Sequence, residues 1–249
     1  SLLCGMLLVM TATAAFAGQG VNLKWNACLG DGGATNKAFA CNVNTGSSTI
    51  VGSLELGANF LQVSGQEVVI DLASAGATLP AWWQFRNAGT CRTTSMSMNF
   101  VGGTVACADW ASGGASGGIG AYNIGQRGPN TSRVVAAIAV PNGGPGTLPD
   151  MFAATEYFSF NLLINNAKTV GAGSCAGCQT GVCIQLNSIN LTAPVAANNR
   201  LITGPTSGTD SDYCTWQGPV APIVNGVAGC NAAVPTKNAT WGAVKSLYR

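Results

Sequence analysis

The chain has 249 residues and no histidine, and this limits the chemistry that its side chains can perform. A Ser–His–Asp or Cys–His catalytic arrangement is excluded, because each needs an imidazole as general base. Histidine-ligated zinc, copper and non-haem iron sites are excluded for the same reason. The acidic groups that remain are nine carboxylates: Asp31, Glu55, Glu67, Asp71, Asp109, Asp150, Glu156, Asp210 and Asp212.

Glu67 and Asp71 form the best-placed pair of carboxylates. Both fall in the strand-like segment 66–72, where positions i and i+4 share one face. A glycoside hydrolase needs two carboxyl groups that face each other across a cleft, so this pair is the basis for one alternative, a secreted glycan hydrolase. The solvent-facing side of an outer strand explains the same residues without catalysis. We therefore assign no catalytic residue and expect a protein that is not an enzyme.

Three aspartates are the weak candidates for metal ligands. Asp210 and Asp212 alternate in a loop rich in Thr, Ser and Gly, and Asp31 lies in the turn at 29–33. Alternating carboxylates in a loop suit calcium, although the twelve-residue calcium-loop pattern is absent. Turn formation alone also explains the three residues. We expect no cofactor, with calcium as the alternative.

Trp82, Trp83 and Arg86 are the weak candidates for ligand-binding residues. Neighbouring residues of a strand point to opposite faces, so we expect one tryptophan in the core and the other exposed. An exposed tryptophan beside Arg86 could stack on a sugar ring. The alternative is that each tryptophan packs under a long loop or against a disulfide.

Cysteine is the residue that indicates the cellular compartment. Nine of the ten cysteines follow residue 17, and without histidine in the chain they favour disulfides over metal ligation. The nine candidates are Cys28, Cys41, Cys91, Cys107, Cys175, Cys178, Cys183, Cys214 and Cys230.

Spacing along the chain suggests local disulfides. Three such disulfides would each close a loop of about 15 residues: Cys28 with Cys41, Cys91 with Cys107, and Cys214 with Cys230. Each would stabilise the fold by roughly 3 kcal/mol. The cluster of three cysteines at 175–183 would then hold one disulfide and one odd thiol. Alternatively, Cys230 pairs into the cluster and leaves Cys214 outside the disulfides. A third alternative is a zinc ion held by the cluster and Cys230.

The first seventeen residues have the pattern of a secretory signal peptide. An apolar run, Leu2 to Met10, is followed by small residues and ends in Ala15-Phe16-Ala17. The run is shorter than the roughly 20 residues that cross a bilayer. We therefore expect an exported chain, in the periplasm, at the cell surface or outside the cell, with no transmembrane segment after residue 17.

Charge is scarce and scattered. Charged residues make up 8% of the chain, the net charge is +2, and the eleven basic residues form no stripe. Proteins that bind nucleic acid present clustered Lys and Arg to the phosphates, so nucleic acid is excluded as a partner. Polysaccharide or envelope proteins are the partner classes that remain.

Strand patterns dominate the remainder of the sequence. Alternation with period 2 predicts four strands with one wet face: 49–56, 66–72, 95–101 and 157–165. The apolar run at 133–140 predicts a central strand or a short buried helix.

The segment 182–192 predicts a strand interrupted by a β-bulge. Its apolar residues have one parity before Asn187-Ser188 and the other parity after it. Both sets can face the core only if one residue is inserted at that point. The apolar residues are Ile184, Leu186, Ile189 and Leu191.

These patterns predict a mostly β protein, an antiparallel β-sandwich of the Ig-like or jelly-roll-like kind. Turn-rich segments at 111–120, 141–149 and 204–211 separate the strands. A short C-terminal helix is expected over 240–248, where Thr240 can cap the N-terminus and the apolar residues that follow lie on one face. We expect a single domain over 18–249, with a weak break at 141–149.

Three stretches resemble hypothetical exported bacterial proteins that have no assigned activity. They are PAWWQFRNAGTCR at 80–92, EYFSFNLLINNAKTVGAGSCAGC at 156–178 and WGAVKSLYR at 241–249. The resemblance implies export and a bacterial origin, and it carries no site residues. Together with the residues, it favours a secreted or cell-surface protein with a structural or interaction role. The alternatives are a carbohydrate- or ligand-binding module that uses an exposed tryptophan, and the glycan hydrolase.

Overall fold

The computed structural model describes residues 18–102, 106–140, 147–207 and 211–218. This part of the chain holds twelve β-strands and two 3-10 turns, Ala81–Trp83 and Ala196–Asn198. It contains no helix with the length and apolarity that a membrane crossing requires. The expected signal peptide at 1–17 and C-terminal helix at 240–248 lie outside the described residues.

The twelve strands are short and follow one another with few interruptions. In chain order they are β1 (Gly20–Trp25), β2 (Asn36–Lys37), β3 (Ser47–Glu55), β4 (Gly65–Ser74), β5 (Met96–Asn99), β6 (Ala108–Asp109), β7 (Ser116–Ile124), β8 (Thr131–Ala139), β9 (Tyr157–Asn165), β10 (Val182–Thr192), β11 (Arg200–Ile202) and β12 (Tyr213–Trp216).

The strands form two sheets that pack face to face, which is the predicted β-sandwich. The five-stranded sheet has the order β1-β3-β9-β5, with β6 also beside β9. The seven-stranded sheet has the order β2-β12-β10-β4-β8-β7, with β11 also beside β10. The pairs β12–β2 and β6–β9 are parallel, and the other described pairs are antiparallel. Strands from before and after 141–149 pair in both sheets, β3 with β9 and β4 with β10.

The predicted bulge in β10 is confirmed. The pairing of β10 with β4 shifts its register between Leu186 and Ser188. The inserted residue lets the apolar side chains on both sides of it face the core. Those side chains are fully buried: Ile184, Leu186, Ile189 and Leu191.

Two other segments have opposite outcomes. The apolar run at 133–140 lies in a strand, Thr131–Ala139, between β4 and β7, so the central strand is confirmed and the helix is wrong. The segment 111–120 was expected to be a turn-rich loop, and this is wrong from Ser116 onward. Strand β7 begins there, because hydrogen bonds to β8 hold a glycine-rich segment whose composition alone favours turns.

The three local disulfides expected from sequence spacing are wrong. The structure joins Cys28 to Cys107, Cys41 to Cys178 and Cys91 to Cys175, across sequence separations of 79, 137 and 84 residues. In a sandwich whose sheets are assembled from distant strands, loops that are far apart along the chain become neighbours in space. Spacing along the chain is therefore a poor guide to pairing.

The remaining described cysteines also decide between alternatives. The zinc site is wrong, because Cys175 and Cys178 are in disulfides and Cys183 is disulfide-bonded as well. Cys214 is buried in the core outside the disulfides, which contradicts its bond to Cys230 and agrees with the alternative that left it outside them. Burial raises the pKa of the Cys214 thiol well above its usual value.

A cluster of aromatic rings around one arginine fills one region of the core. The rings of Trp82 and Trp216 are stacked with centroids 5.0 Å apart, and Trp83 contacts both edge-on. The Arg92 guanidinium carbon lies 3.5 Å from the Trp82 ring centroid, in a cation–π contact. Arg92 is 1% exposed, and burial lowers its pKa to about 9.

The loop 171–181 lies against this cluster and is fixed by two of the disulfides. The Trp82 backbone N–H donates to the Ala176 carbonyl at 2.9 Å, and Trp216 Nε1 donates to the Cys178 carbonyl at 2.7 Å. The bonds from Cys175 to Cys91 and from Cys178 to Cys41 hold the loop in place. The tryptophans therefore pack under a disulfide-bonded loop, as the alternative interpretation of the sequence proposed.

Gly52 gives a direct test of the packing within the five-stranded sheet, where it is the cross-strand partner of Phe160. A Cβ atom at Gly52 would lie 2.3 Å from the Phe160 ring, so we expect Gly52→Ala to cost about 1–3 kcal/mol of unfolding free energy. Gly118→Ala is the matched control, because its Cβ would meet nothing within 4 Å. That control should be neutral or gain up to about 1 kcal/mol. Urea unfolding with the disulfides intact measures both, and equal stabilities would contradict the packing.

Candidate functional site

The tryptophans that could have stacked on a ligand are inside the protein. Trp82 and Trp83 are both 0% exposed, so the expectation that one of them faces solvent is wrong. Residues 81–83 form a 3-10 turn, and the alternation of a strand does not apply to them. Trp82 Nε1 donates to Thr169 Oγ1 at 3.1 Å. Neither indole is available as a platform for a sugar.

Arg86, the third candidate in that segment, is exposed and contacts the rims of both sheets. Its Nη2 donates to the Ile119 carbonyl of β7 at 3.1 Å, and its Nη1 reaches the Met96 carbonyl of β5 at 3.5 Å. Its φ of 60° is a left-handed conformation that arginine seldom adopts. Arg86 therefore bridges the seam between the two sheets.

The aspartates considered for calcium lie in different environments. Asp31 is exposed in a turn where the Gly32 N–H donates to the Leu29 carbonyl at 3.0 Å. Asp212 is buried, accepts from Gln185 Nε2 at 3.3 Å, and has its pKa raised by burial. Asp210 lies outside the described residues. Calcium binding by these residues remains a prediction.

Glu156 is a buried carboxylate that the sequence did not single out. It lies near the sulfurs of Cys28 and Cys107, a grouping that would suit a metal ion if those sulfurs were not bonded to each other. Its oxygens accept from the Leu29 and Gly30 N–H groups at 3.0 and 2.8 Å and from Ser53 Oγ at 2.5 Å. Glu156 therefore anchors the loop after Cys28 to β3.

The outer face of the seven-stranded sheet, the face turned away from the core, carries the other notable charges. Asp71 on β4 accepts from Arg133 on β8 through Nε and Nη2, both at 2.7 Å. Asn187, the bulge residue of β10, donates to the same carboxylate at 2.5 Å. Arg127 adds a longer ion pair at 3.5 Å. Hydrogen bonding to Asp71 raises the pKa of Arg133.

Glu67 and Asp71 do not form the pair that a glycan hydrolase needs. They are four positions apart on one strand, which places their Cα atoms roughly 13 Å apart. The carboxyl groups of glycosidases lie about 5–9.5 Å apart across a cleft. Glu67 accepts from Asn190 Nδ2 at 3.0 Å, and Asp71 is held by two arginines. Both carboxylates are therefore committed to contacts within the sheet.

Beyond these charges, the side chains of the outer face are small and apolar on β8 and β7, while Glu67 on β4 is the cross-strand partner of Ala137. Val69 and Val135 are cross-strand partners and only partly buried, and Ala137 and Ala139 are exposed. On β7, Gly118 pairs with Ala137. A flat, apolar surface therefore extends to the edge strand β7.

The edge of the sheet at β7 differs from the other edges of the sandwich. On β1, the N–H groups of Val21 and Leu23 donate to the carbonyls of Gly204 and Ser211 at 2.7 and 3.1 Å, so that edge is covered. The strands β2, β5, β6 and β11 have only two to four residues each. Strand β7 has nine.

Within the described residues, the outer side of β7 has no paired strand, and Arg86 lies between it and β5. Beyond its pairing with β8, no backbone hydrogen bond from the described residues reaches Ser116–Ile124, and the side-chain contact to its backbone is the one from Arg86 to Ile119. The strand contains neither charge nor proline. Natural proteins protect such edges with charge, proline, β-bulges or covering loops, because an open edge is a template for another strand. Of these devices β7 has a bulge, between Ile119 and Ala121.

No protein-family model and no curated protein matches the chain. The chain is similar to the cohesin module from a Clostridium perfringens family 33 glycoside hydrolase, with 8% identity, 80% of this chain and 93% of that chain covered, and a TM-score of 0.33. A type II cohesin domain from the Acetivibrio cellulolyticus cellulosome gives 10% identity, coverages of 79% and 95%, and a TM-score of 0.32. The second type II cohesin module of the ScaA scaffoldin of Acetivibrio cellulolyticus is 7% identical. That comparison covers 75% of this chain and 90% of that chain, with a TM-score of 0.29. Similarity at this level carries no argument about function.

The Asp71–Arg133 pair gives a quantitative test of the charged contacts on the outer face. Because Arg133 holds a carboxylate that is nearly inaccessible and is itself 24% exposed, Arg133→Met should cost about 1–3 kcal/mol of unfolding free energy. Arg127, at 3.5 Å and 32% exposed, is the matched control. Arg127→Met should cost about 1 kcal/mol or less. Chemical denaturation of both variants makes the comparison, and an equal or reversed order would contradict the assigned geometry.

Proposed function

We propose that this chain is an exported, non-catalytic interaction protein that takes a protein partner at the open edge of β7. The observation that supports the proposal is this edge, which is nine residues long, uncharged and open on its outer side along the described chain. A partner strand would satisfy the outward backbone groups of β7, the mode of recognition known as β-strand addition. The exposed alanines of β8 lie beside it and would extend the contact.

The internal use of the carboxylates supports a role without catalysis. Asp71, Glu67 and Glu156 all accept hydrogen bonds from within the fold. Asp109 accepts from the N–H groups of Ala111 and Gly113 at 2.9 and 2.8 Å, in a turn. Acid–base catalysis needs a carboxyl group directed at a substrate, and these four are directed at their own chain.

Export is supported by the disulfides. Three of them join distant parts of the sandwich, and such bonds persist in oxidising compartments. The signal-peptide pattern at 1–17 agrees with this. Proteins of the cell envelope or cell surface are therefore the proposed class of partner. The carbohydrate-binding alternative loses its platform, because Trp82 and Trp83 are buried.

Site-specific photo-crosslinking in the producing cells tests the proposal. A photoreactive residue replaces Gly118, where a side chain would meet nothing within 4 Å, and in a second variant it replaces the exposed Ala77. We expect a discrete protein adduct at position 118 and none at position 77. Mass spectrometry then identifies the adduct.

Absence of a protein adduct at position 118, or equal labelling at both positions, would overturn the proposed docking edge. A retained glycan in place of a protein, detected with the same purified variants on a polysaccharide panel, would favour the carbohydrate-binding alternative.

A further inference from the structure

Cys183 is disulfide-bonded, and its partner lies outside the described residues. Six of the other described cysteines form the three disulfides of the fold, and Cys214 is outside any disulfide. The sequence contains two further cysteines, Cys4 and Cys230. Cys4 belongs to the segment 1–17, which has the pattern of a signal peptide that is removed on export. Cys230 is therefore the partner that remains.

Cys183 lies on the outer face of the seven-stranded sheet. Its neighbours in β10, Val182 and Ile184, are buried in the core, and successive residues of a strand point to opposite faces. Its cross-strand partners share its face: Ala73 on β4 and Thr215 on β12. A segment bonded to Cys183 must therefore lie over this face and not between the two sheets.

The outer face is covered around Cys183 and uncovered farther along. Cys183 and its cross-strand partners Ala73 and Thr215 are fully buried, although they point away from the core. On the same face, Ala137 and Ala139 of β8 are exposed. An outward residue of a sheet loses its contact with water only when another layer packs on it. The burial around Cys183 therefore agrees with a covering segment.

The chain that follows β12 starts close to this patch. Gly218 is three positions beyond Thr215, which corresponds to roughly 10 Å along the chain, and Cys183 is on the adjacent strand, about 5 Å away from Thr215. Twelve residues lead from Gly218 to Cys230, and they can span up to about 40 Å. Cys230 can therefore reach Cys183 without strain.

The composition of the residues between these points suits a covering role. The stretch 219–230 contains no charged residue. It carries four branched aliphatic side chains: Val220, Ile223, Val224 and Val227. Packing on the small residues beside Cys183 would remove these side chains from water, which is favourable.

We propose that Cys183 and Cys230 form a fourth disulfide, which holds the segment 219–230 across the outer face of the seven-stranded sheet at β10 and β12. The two thiols lose two protons and two electrons to a protein disulfide of the exporting compartment, which becomes a dithiol. Among the pairings that the sequence left open, this is the one that joins Cys230 to the cluster at 175–183. The inference is independent of the proposed docking edge at β7, which lies at the other side of the sheet.

Disulfide mapping of the exported native chain tests the inference. The chain is alkylated in denaturant without reductant, digested and analysed by mass spectrometry. We expect a peptide pair that joins Cys183 to Cys230, with alkylation at Cys214 alone. Alkylated Cys230, or a Cys183 peptide joined to any other cysteine, would overturn the inference.

Thiol titration of single variants in denaturant checks the pairing without depending on peptide recovery. The native chain should present one thiol, and Cys214→Ala, the matched control, should present none. Cys230→Ala and Cys183→Ala should present two each, because each substitution leaves the other member of the pair reduced. A count of one thiol in Cys230→Ala would contradict the bond, since Cys183 would then have another partner.

Iodoacetamide labelling of folded Cys230→Ala tests whether the segment is the cover. Without the bond, Cys183 on the outer face should react at least tenfold faster than Cys214 in the core. Circular dichroism and mapping of the three described disulfides show that the variant is folded. Equal labelling of the two thiols would show that another part of the chain covers Cys183, and would overturn the placement of 219–230.

Discussion

Burial of the Arg92 guanidinium is the constraint on which the interior depends. A buried charge is costly unless other groups replace the water it loses, and within the described residues no carboxylate pairs with Arg92. The rings of Trp82 and Phe85, at 3.5 and 5.2 Å, and the carbonyls of Trp82 and Asn165 take the place of water. Because this arrangement holds only if the rings stay in position, the loop 171–181 has to be fixed over them. Two disulfides fix it.

The interior is fixed, but the edges of the sandwich differ in how far other parts of the chain cover them. The two edges compared are the one at β1 and the one at β5 and β7. The β1 rim is covered by Gly204, Ser211 and Ala34, whose carbonyls accept from its N–H groups. At the opposite rim, β5 and β7 approach each other without pairing, and Arg86 bridges their carbonyls. Within the described residues, the strand that completes the seven-stranded sheet therefore keeps an edge that no other strand pairs with.

Much of the fold could be predicted from the sequence, because period-2 alternation directly reports which residues are buried. The β10 bulge followed from the change of parity around Asn187, and its pairing with Asp71 on the outer face is a consequence. Strand β7 could not be predicted, because glycine has no side chain to give a pattern. The disulfides and the burial of Trp83 depend on contacts between distant segments, which spacing does not encode. The open edge was missed for both reasons: its strand has no pattern, and openness is a property of the assembled sheet.

Residue-resolved amide hydrogen exchange in dilute protein tests the central claim that β7 is an open edge in a rigid sandwich. Val21 and Leu23 of β1 donate to neighbouring carbonyls, so their amides should exchange slowly, near the limit set by global unfolding. The Ile119 carbonyl accepts from Arg86 and so points away from β8, and the amides of Ile119 and Gly117 point to the same side. These two amides should exchange faster by orders of magnitude. Protection of Gly117 and Ile119 equal to that of Val21 and Leu23 in the dilute monomer would show that the edge is covered, and would contradict the account.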